Sequence, residues 1–241
     1  MSWKLSNRFT YPKSMRSIYN GSRHYDVEGA KYPSVTSVLS LTKPQKDKDA
    51  LNRWKRDVGF KAAEIISKQS SDRGTSMHSE VEDILLLRSN GELIEEPNLP
   101  KKMAETIVEN GINNRINEVY GCEVVLYYNG GGNSCNFAGT ADAVISDTNN
   151  KIKILDFKQS NRPKQKQWSS IFEYGLQLAL YSIAHDKMFG THITSSEILM
   201  CTPNLIFQKF EFKDEEFENL KKVAMERVEE YYHLKSQNVK L

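Results

Sequence analysis

Gly139-Thr140-Ala141-Asp142-Ala143-Val144-Ile145-Ser146, then Asp147-Thr148-Asn149-Asn150, then Lys151-Ile152-Lys153-Ile154-Leu155-Asp156-Phe157-Lys158-Gln159 is the stretch on which the reading of this chain turns. Two apolar runs flank four turn-forming residues, which predicts a β-hairpin with strands over Phe137–Ser146 and Lys151–Gln159. Side chains two apart on a strand share a face, so Asp156 and Lys158 project together while Leu155 and Phe157 project the other way. If the loop is Thr148–Asn150, Asp142 lies directly opposite Asp156. Two carboxylates that close repel each other unless a cation or proton sits between them, and a hard divalent ion such as Mg²⁺ suits such oxygens. Lys158 would stand beside that ion, placed to orient water or to stabilise charge on a phosphate oxygen. Gly139 leaves room for a close approach. A D-x-K triplet alone also fits an ordinary surface ion pair; the G-T-x-D on the adjacent predicted strand adds weight to the functional reading.

Downstream, the basic stretch Asn161 to Trp168 suits single-stranded nucleic acid, with phosphates on Arg162, Lys164 and Lys166 and a base stacked on Trp168. A solvated charged loop has the same composition. Next comes a helix over about Ile171 to Met188, apolar on nearly every side and so expected to be buried. It carries Gln177 and Tyr181 one turn apart, and a buried glutamine amide must find hydrogen bonds. Two further strands, Glu197–Cys201 and Ile206–Phe212, precede a last helix from Glu215 to about Leu234, with Asp214 as its expected cap.

Upstream, Cys122 to Tyr128 reads as a strand with Glu123 at its start, and Asn129 to Asn133 as a glycine-rich turn. A helix is expected from Pro100 to Tyr120, after a loop over Asn90 to Pro100. Another is expected over Thr75 to Arg88, with a stripe of Met77, Val81, Ile84 and Leu85 beside His78 and Glu82. His78 there can reach a metal, or can simply support the helix in a His–Glu pair. The stretch Ser70–Gly74 is expected to break the chain. Before it, a helix over about Lys46 to Ser67 has a stripe of Ala50, Trp54, Val58, Ala62 and Ile65, weakened at Gly59. Arg23 to Val35 reads as a hairpin turning at Glu28–Gly29. The first 25 residues hold five bases and no acid; they read as a basic arm or edge strand, although an organellar leader has a similar composition.

The 241 residues balance 33 Lys+Arg against 31 Asp+Glu, a net +2 that excludes a uniformly basic coat but not a localised basic groove. No apolar run approaches the ~20 residues of a membrane span, so no membrane partner is expected. Three scattered cysteines form no disulfide framework and point to a reducing compartment.

In order, R-G-T-x-x-H-x-x-x-E from Arg73, Glu123, G-T-x-D from Gly139, D-F-K-Q-S from Asp156 and Q-x-x-x-Y from Gln177 resemble the RecB-like branch of the PD-(D/E)XK nuclease superfamily. Within it the chain is similar to the mitochondrial genome maintenance exonucleases and their phage relatives. Tyr32-Pro33-Ser34-Val35-Thr36, Trp54 and Ser170–Leu178 add to the likeness. The resemblance implies an α/β, restriction-endonuclease-like fold, a mixed central sheet flanked by helices. Residues 1–45 would be an arm and hairpin packed on the core, and 46–241 one nuclease domain with a helical region over 46–120. It implies Mg²⁺- or Mn²⁺-dependent hydrolysis of DNA, preferentially single-stranded and from an end, in replication, repair or recombination. His78, Asp142, Asp156 and the Phe157 carbonyl would hold metal; Lys158 would be catalytic with Asp142 and Asp156. Glu123, Gln177 and Tyr181 would shape the site, and Arg73 would join the basic loop in touching DNA. Three cysteines cannot hold the four-cysteine iron–sulfur cluster of some relatives, so none is expected. A catalytically silent DNA-binding protein and a structure-specific endonuclease are the alternatives. A viral protein in a bacterial cytoplasm is the expected setting, with the mitochondrial matrix as the other.

Overall fold

The computed structural model describes residues 3–88, 97–131 and 135–237. A six-stranded mixed sheet forms the centre, in the order β1 (Lys4–Leu5), β5 (Ile116–Tyr128), β6 (Phe137–Asp147), β7 (Ile152–Gln159), β8 (Ser195–Cys201) and β9 (Phe207–Lys213). The β1–β5 and β7–β8 pairs are parallel and the rest antiparallel. A second sheet joins β2 (Ser14–Tyr19), β3 (Ser22–Val27) and β4 (Ala30–Pro33), and packs through Tyr25, Val27 and Tyr32 on Ala138 of β6.

Helices cover both faces. On one lie α1 (Val35–Leu41), α5 (Ser169–Phe189) and α6 (Asp214–Ser236), sharing a core with Val144, Ile154, Ile198 and Met200. On the other lie α3 (Phe60–Leu85) and α4 (Leu99–Ile107), packed on Ile145, Leu155, Phe157 and Leu199. Ile154 in one core and Leu155 and Phe157 in the other is the alternation a strand buried on both faces must show. The remaining helix, α2 (Gln45–Val58), buries none of its residues. Among the described residues no helix is long and apolar enough to cross a membrane.

The decisive hairpin has the expected register: Ser146 pairs Ile152 and Ala143 pairs Leu155, closed by the Asp147 amide on the Lys151 carbonyl. Elsewhere several boundaries differ from the sequence reading. The break before His78 is not at Ser70–Gly74 but at Gly59, whose φ of 90° no helix accommodates. Gly74 stays helical where α3 packs on β7, its α-carbon facing Gln159, and the Ser67 and Ser76 hydroxyls donate to carbonyls one turn back. The stripe from Ala50 to Ile65 is not core, since Val58 is 39% and Ile65 58% exposed. Residues 116–120 are strand rather than helix. The α4 helix ends in a π-helical turn over Val108–Ile112, and β5 absorbs two register shifts before Gly121, whose missing side chain accommodates Tyr11 and Val124. Helix α1 was not foreseen; within the first 25 residues, read as a basic arm or edge strand, β2 lies at the edge of the second sheet. Asp214 does not cap α6; its φ is 52° and Lys213 takes the cap position. The expected loop over 90–96 and the glycine turn at 132–133 lie outside the described residues.

Candidate active site

The β6–β7 ladder stops at Ala143 and Leu155, one pair short of the two acids. Beyond it the Asp142 Oδ2 accepts the Phe157 amide at 2.7 Å, so a side chain takes the hydrogen bond that a neighbouring strand would otherwise make. This opens a split at the sheet's end, and α3 lays His78 across it. His78 Nδ1 is 3.4 Å from Asp142 Oδ2, and its ring stands edge-on to Phe157 at 6.1 Å. Glu82 pairs instead with Arg88 at 3.1 Å, so His78 is not half of a His–Glu helix pair.

Glu123 approaches from the other side. Cys122 pairs Ala143 and Val124 pairs Ala141, which sets Glu123 across from Asp142 on β5. Its φ of 49° is a left-handed conformation that costs a non-glycine residue free energy, a strain found most often at functional sites. One ligand atom each from His78, Glu123 and Asp142 lie within 4.8 Å of one another. Partial burial and then the Asp142 charge hold the Glu123 carboxyl above its ordinary range. Crowded carboxylates plus an imidazole are the donor set a divalent cation takes. These residues fit a metal.

Asp156 does something different. It is 1% exposed, and its Oδ2 lies 2.5 Å from Lys158 Nζ, while its Oδ1 accepts from Gln177 Nε2 at 3.3 Å. Burial raises its carboxyl, Lys158 works against that, and Asp142 adds to it. Burial alone would lower Lys158, but Asp156 and Asp142 outweigh it and keep the ammonium charged. That ammonium also sits 5.1 Å from the Tyr174 ring centre. Gln177 Nε2 reaches the Tyr181 hydroxyl at 3.1 Å, and the Tyr181 ring fills the space Gly139 leaves, so the close approach there is made by this ring.

His78, Glu123, Asp142, Lys158, Gln177 and Tyr181, but not the buried Asp156, line a cavity of about 730 Å³ that also takes in Ser70, Thr75, Thr140, Arg16, Arg23 and Tyr25. The last three were missed. Arg16 reaches from β2 to Thr140 at 3.1 Å and to Glu123 at 4.0 Å, so the second sheet forms one wall. The run of bases without an acid was the available signal, but nothing local says which base turns inward. The expected DNA contacts lie elsewhere, and none of the five lines the cavity. Arg73 clamps Gln159 and Asn161, tying α3 to the end of β7. Arg162 and Lys164 stack on Trp168, and Lys166 pairs with Glu216 at 2.7 Å. For Phe157 the contact at the site is its amide; its ring is 2% exposed in the core.

Comparison with known proteins gives the family. Residues 96–237 match the PD-(D/E)XK nuclease superfamily model. The chain is 24% identical over 177 residues to mitochondrial genome maintenance exonuclease 1 of Xenopus tropicalis, covering 70% of this chain and 48% of that protein. It thus spans about half the length of the curated relative it matches. Among solved structures, SSO0001 overlaps with a TM-score of 0.39 at 16% identity (74% of this chain, 69% of the other). An Eubacterium rectale protein named as an exonuclease gives 0.46 at 14% (69% of each chain). The family match covers more than half the chain and includes the three strands bearing Glu123, Asp142, Asp156 and Lys158, and on that ground the chain belongs to the PD-(D/E)XK nuclease superfamily.

Proposed function

We propose that this domain is a Mg²⁺- or Mn²⁺-dependent DNA exonuclease that hydrolyses phosphodiester bonds from single-stranded ends. The observation that carries the reading is the meeting of His78, Glu123 and Asp142 ligand atoms within 4.8 Å, beside the Lys158–Asp156 pair. His78, Glu123 and Asp142 would hold a divalent cation, which would supply an activated water and offset charge on the leaving oxygen. Lys158 keeps a positive charge at the cavity wall, where it stabilises a phosphate oxygen as charge builds on it. Asp156 holds that ammonium in place, and Gln177, which also donates to the Tyr181 hydroxyl, donates to the Asp156 carboxylate from behind. Asp156 thereby positions the lysine before it serves any ion. The similarity to a mitochondrial exonuclease supports end-directed cleavage.

Cleavage of an end-labelled linear single strand, against the same sequence closed into a circle, tests this with Mg²⁺ or Mn²⁺ present. The linear strand should shorten and the circle should survive. A cut circle would make the enzyme an endonuclease, and binding without any cut would make it a DNA-binding module. Lys158→Ala should slow cleavage about a hundred- to a thousandfold; a near-normal rate would remove the lysine from the chemistry.

A further inference from the structure

A second cavity, of about 490 Å³, adjoins the first, and Arg23 and Thr36 line both. The second stretch runs between the β2–β3 turn, α1 and the start of α2, along Ser37, Ser40, Lys48 and Tyr231. Its chemistry is unlike that of the first. The cavity beside the strands gathers Glu82, Glu123 and Asp142, whereas none of the nine residues lining the extension is acidic.

The wall of the extension follows from the α1 sequence Val35-Thr36-Ser37-Val38-Leu39-Ser40-Leu41. Val35, Val38 and Leu39 are buried, which turns Thr36, Ser37 and Ser40 outward on the opposite side. Ser37 Oγ donates to the Arg23 carbonyl, so the hairpin and α1 are tied together as two walls. Lys48 Nζ donates to the Leu41 carbonyl at 2.9 Å, which holds the ammonium at the groove and leaves two further protons to offer. Arg23 is exposed, and among the described residues its guanidinium has no hydrogen-bond or ion-pair partner. A row of hydroxyls and two cations with no carboxylate is a surface for successive phosphates.

We propose that this extension is a second binding site, holding the phosphodiester backbone of the DNA strand on one side of the bond being cut. Arg23 is the hinge residue between the acidic cavity and the groove. The inference rests on the nuclease reading above and adds where the uncut strand lies.

Fluorescence anisotropy of the full chain with end-labelled oligothymidylates in EDTA, over a salt series, tests it. Arg23→Ala should weaken binding of long oligomers about tenfold. It should also flatten the slope of log affinity against log salt by about 0.7. Ser40→Glu, which puts a carboxylate in the groove, should weaken them at least as much. Both positions are exposed, so thermal midpoints should match wild type and exclude misfolding. Lys102→Ala, on α4 across the sheet, should leave the slope alone. Wild-type affinity and slope in both groove variants, with a wild type that binds and cuts, would overturn the groove and leave the nuclease standing. A Lys102→Ala loss equal to that of Arg23→Ala would also overturn it, because the effect would then be net charge. A wild type that neither binds nor cuts would overturn the nuclease reading itself.

Discussion

The hairpin of β6 and β7 carries a charge cluster at each end, and the two are built on opposite principles. At the turn, Lys153 Nζ reaches Glu197 at 2.9 Å, Glu211 at 3.2 Å and Asp147 at 3.7 Å, and Arg115 reaches Glu197 at 3.1 Å. Every acid there meets a cation. Glu197 and Glu211 hold Lys153 above its ordinary range although burial pulls it down. At the open end, Asp142 and Glu123 crowd each other, Glu123 meets Arg16 only at 4.0 Å among the described residues, and Lys158 is committed to Asp156. The paired cluster is complete as it stands. The crowded one is short of positive charge, which a metal ion would bring.

Breaking each end separately should give opposite phenotypes. Asp142→Asn keeps an oxygen for the Phe157 amide but removes the charge; cleavage should drop about a thousandfold, with the thermal midpoint near wild type. Comparable turnover at saturating metal would mean the crowded cluster is not the active site. Lys153→Met should do the reverse, costing about 1–3 kcal/mol in a denaturant titration by leaving the buried Glu197 to Arg115. The folded fraction should still cut at the normal rate.

A third buried group is stabilised by staying neutral. His185 is fully buried; its Nδ1 donates to Thr191, whose hydroxyl is spent on Asp186, and its Nε2 lies 3.4 Å from the Tyr11 hydroxyl. Burial, helped by Arg8, lowers its pKa from 6.5 to about 4. The unfolded chain therefore binds the extra proton first, so stability is complete above about pH 6.5 and falls as the pH drops towards 4. The loss should be about 3 kcal/mol, and His185→Gln should flatten that part of the profile. If Lys153→Met flattens it instead, the acid sensitivity belongs to the paired cluster. The smallest effect is thermal: Mn²⁺ at a hundred times its dissociation constant should add about 2.7 kcal/mol to wild type. Asp142→Asn should gain little, and an equal gain would place the ion elsewhere.

What could be read from the chain beforehand follows the range of the forces involved. The β6–β7 hairpin is local: turn residues and alternation set its register, and that register, carried one pair past the ladder, brings Asp142 level with Asp156. Gly59 and Gly74 look alike in sequence. Only the packing of α3 on Gln159 decides that the second stays helical. Glu123 joins the ligand set through a strained backbone in an irregular strand, which no periodicity encodes. Arg16 and Arg23 reach the cavity because a whole sheet packs on Ala138, whereas the basic loop after β7 is spent on Trp168, Gln208 and Glu216.

The amide of Phe157 points at a carboxylate instead of at the adjoining strand. Its proton resonance and its exchange with solvent therefore depend on the charge state of Asp142. Inside the sheet the chain thus carries a spectroscopic reporter. Magnetic resonance can use it to see whether that oxygen is bare, protonated or drawn onto an ion, with no substrate in the tube.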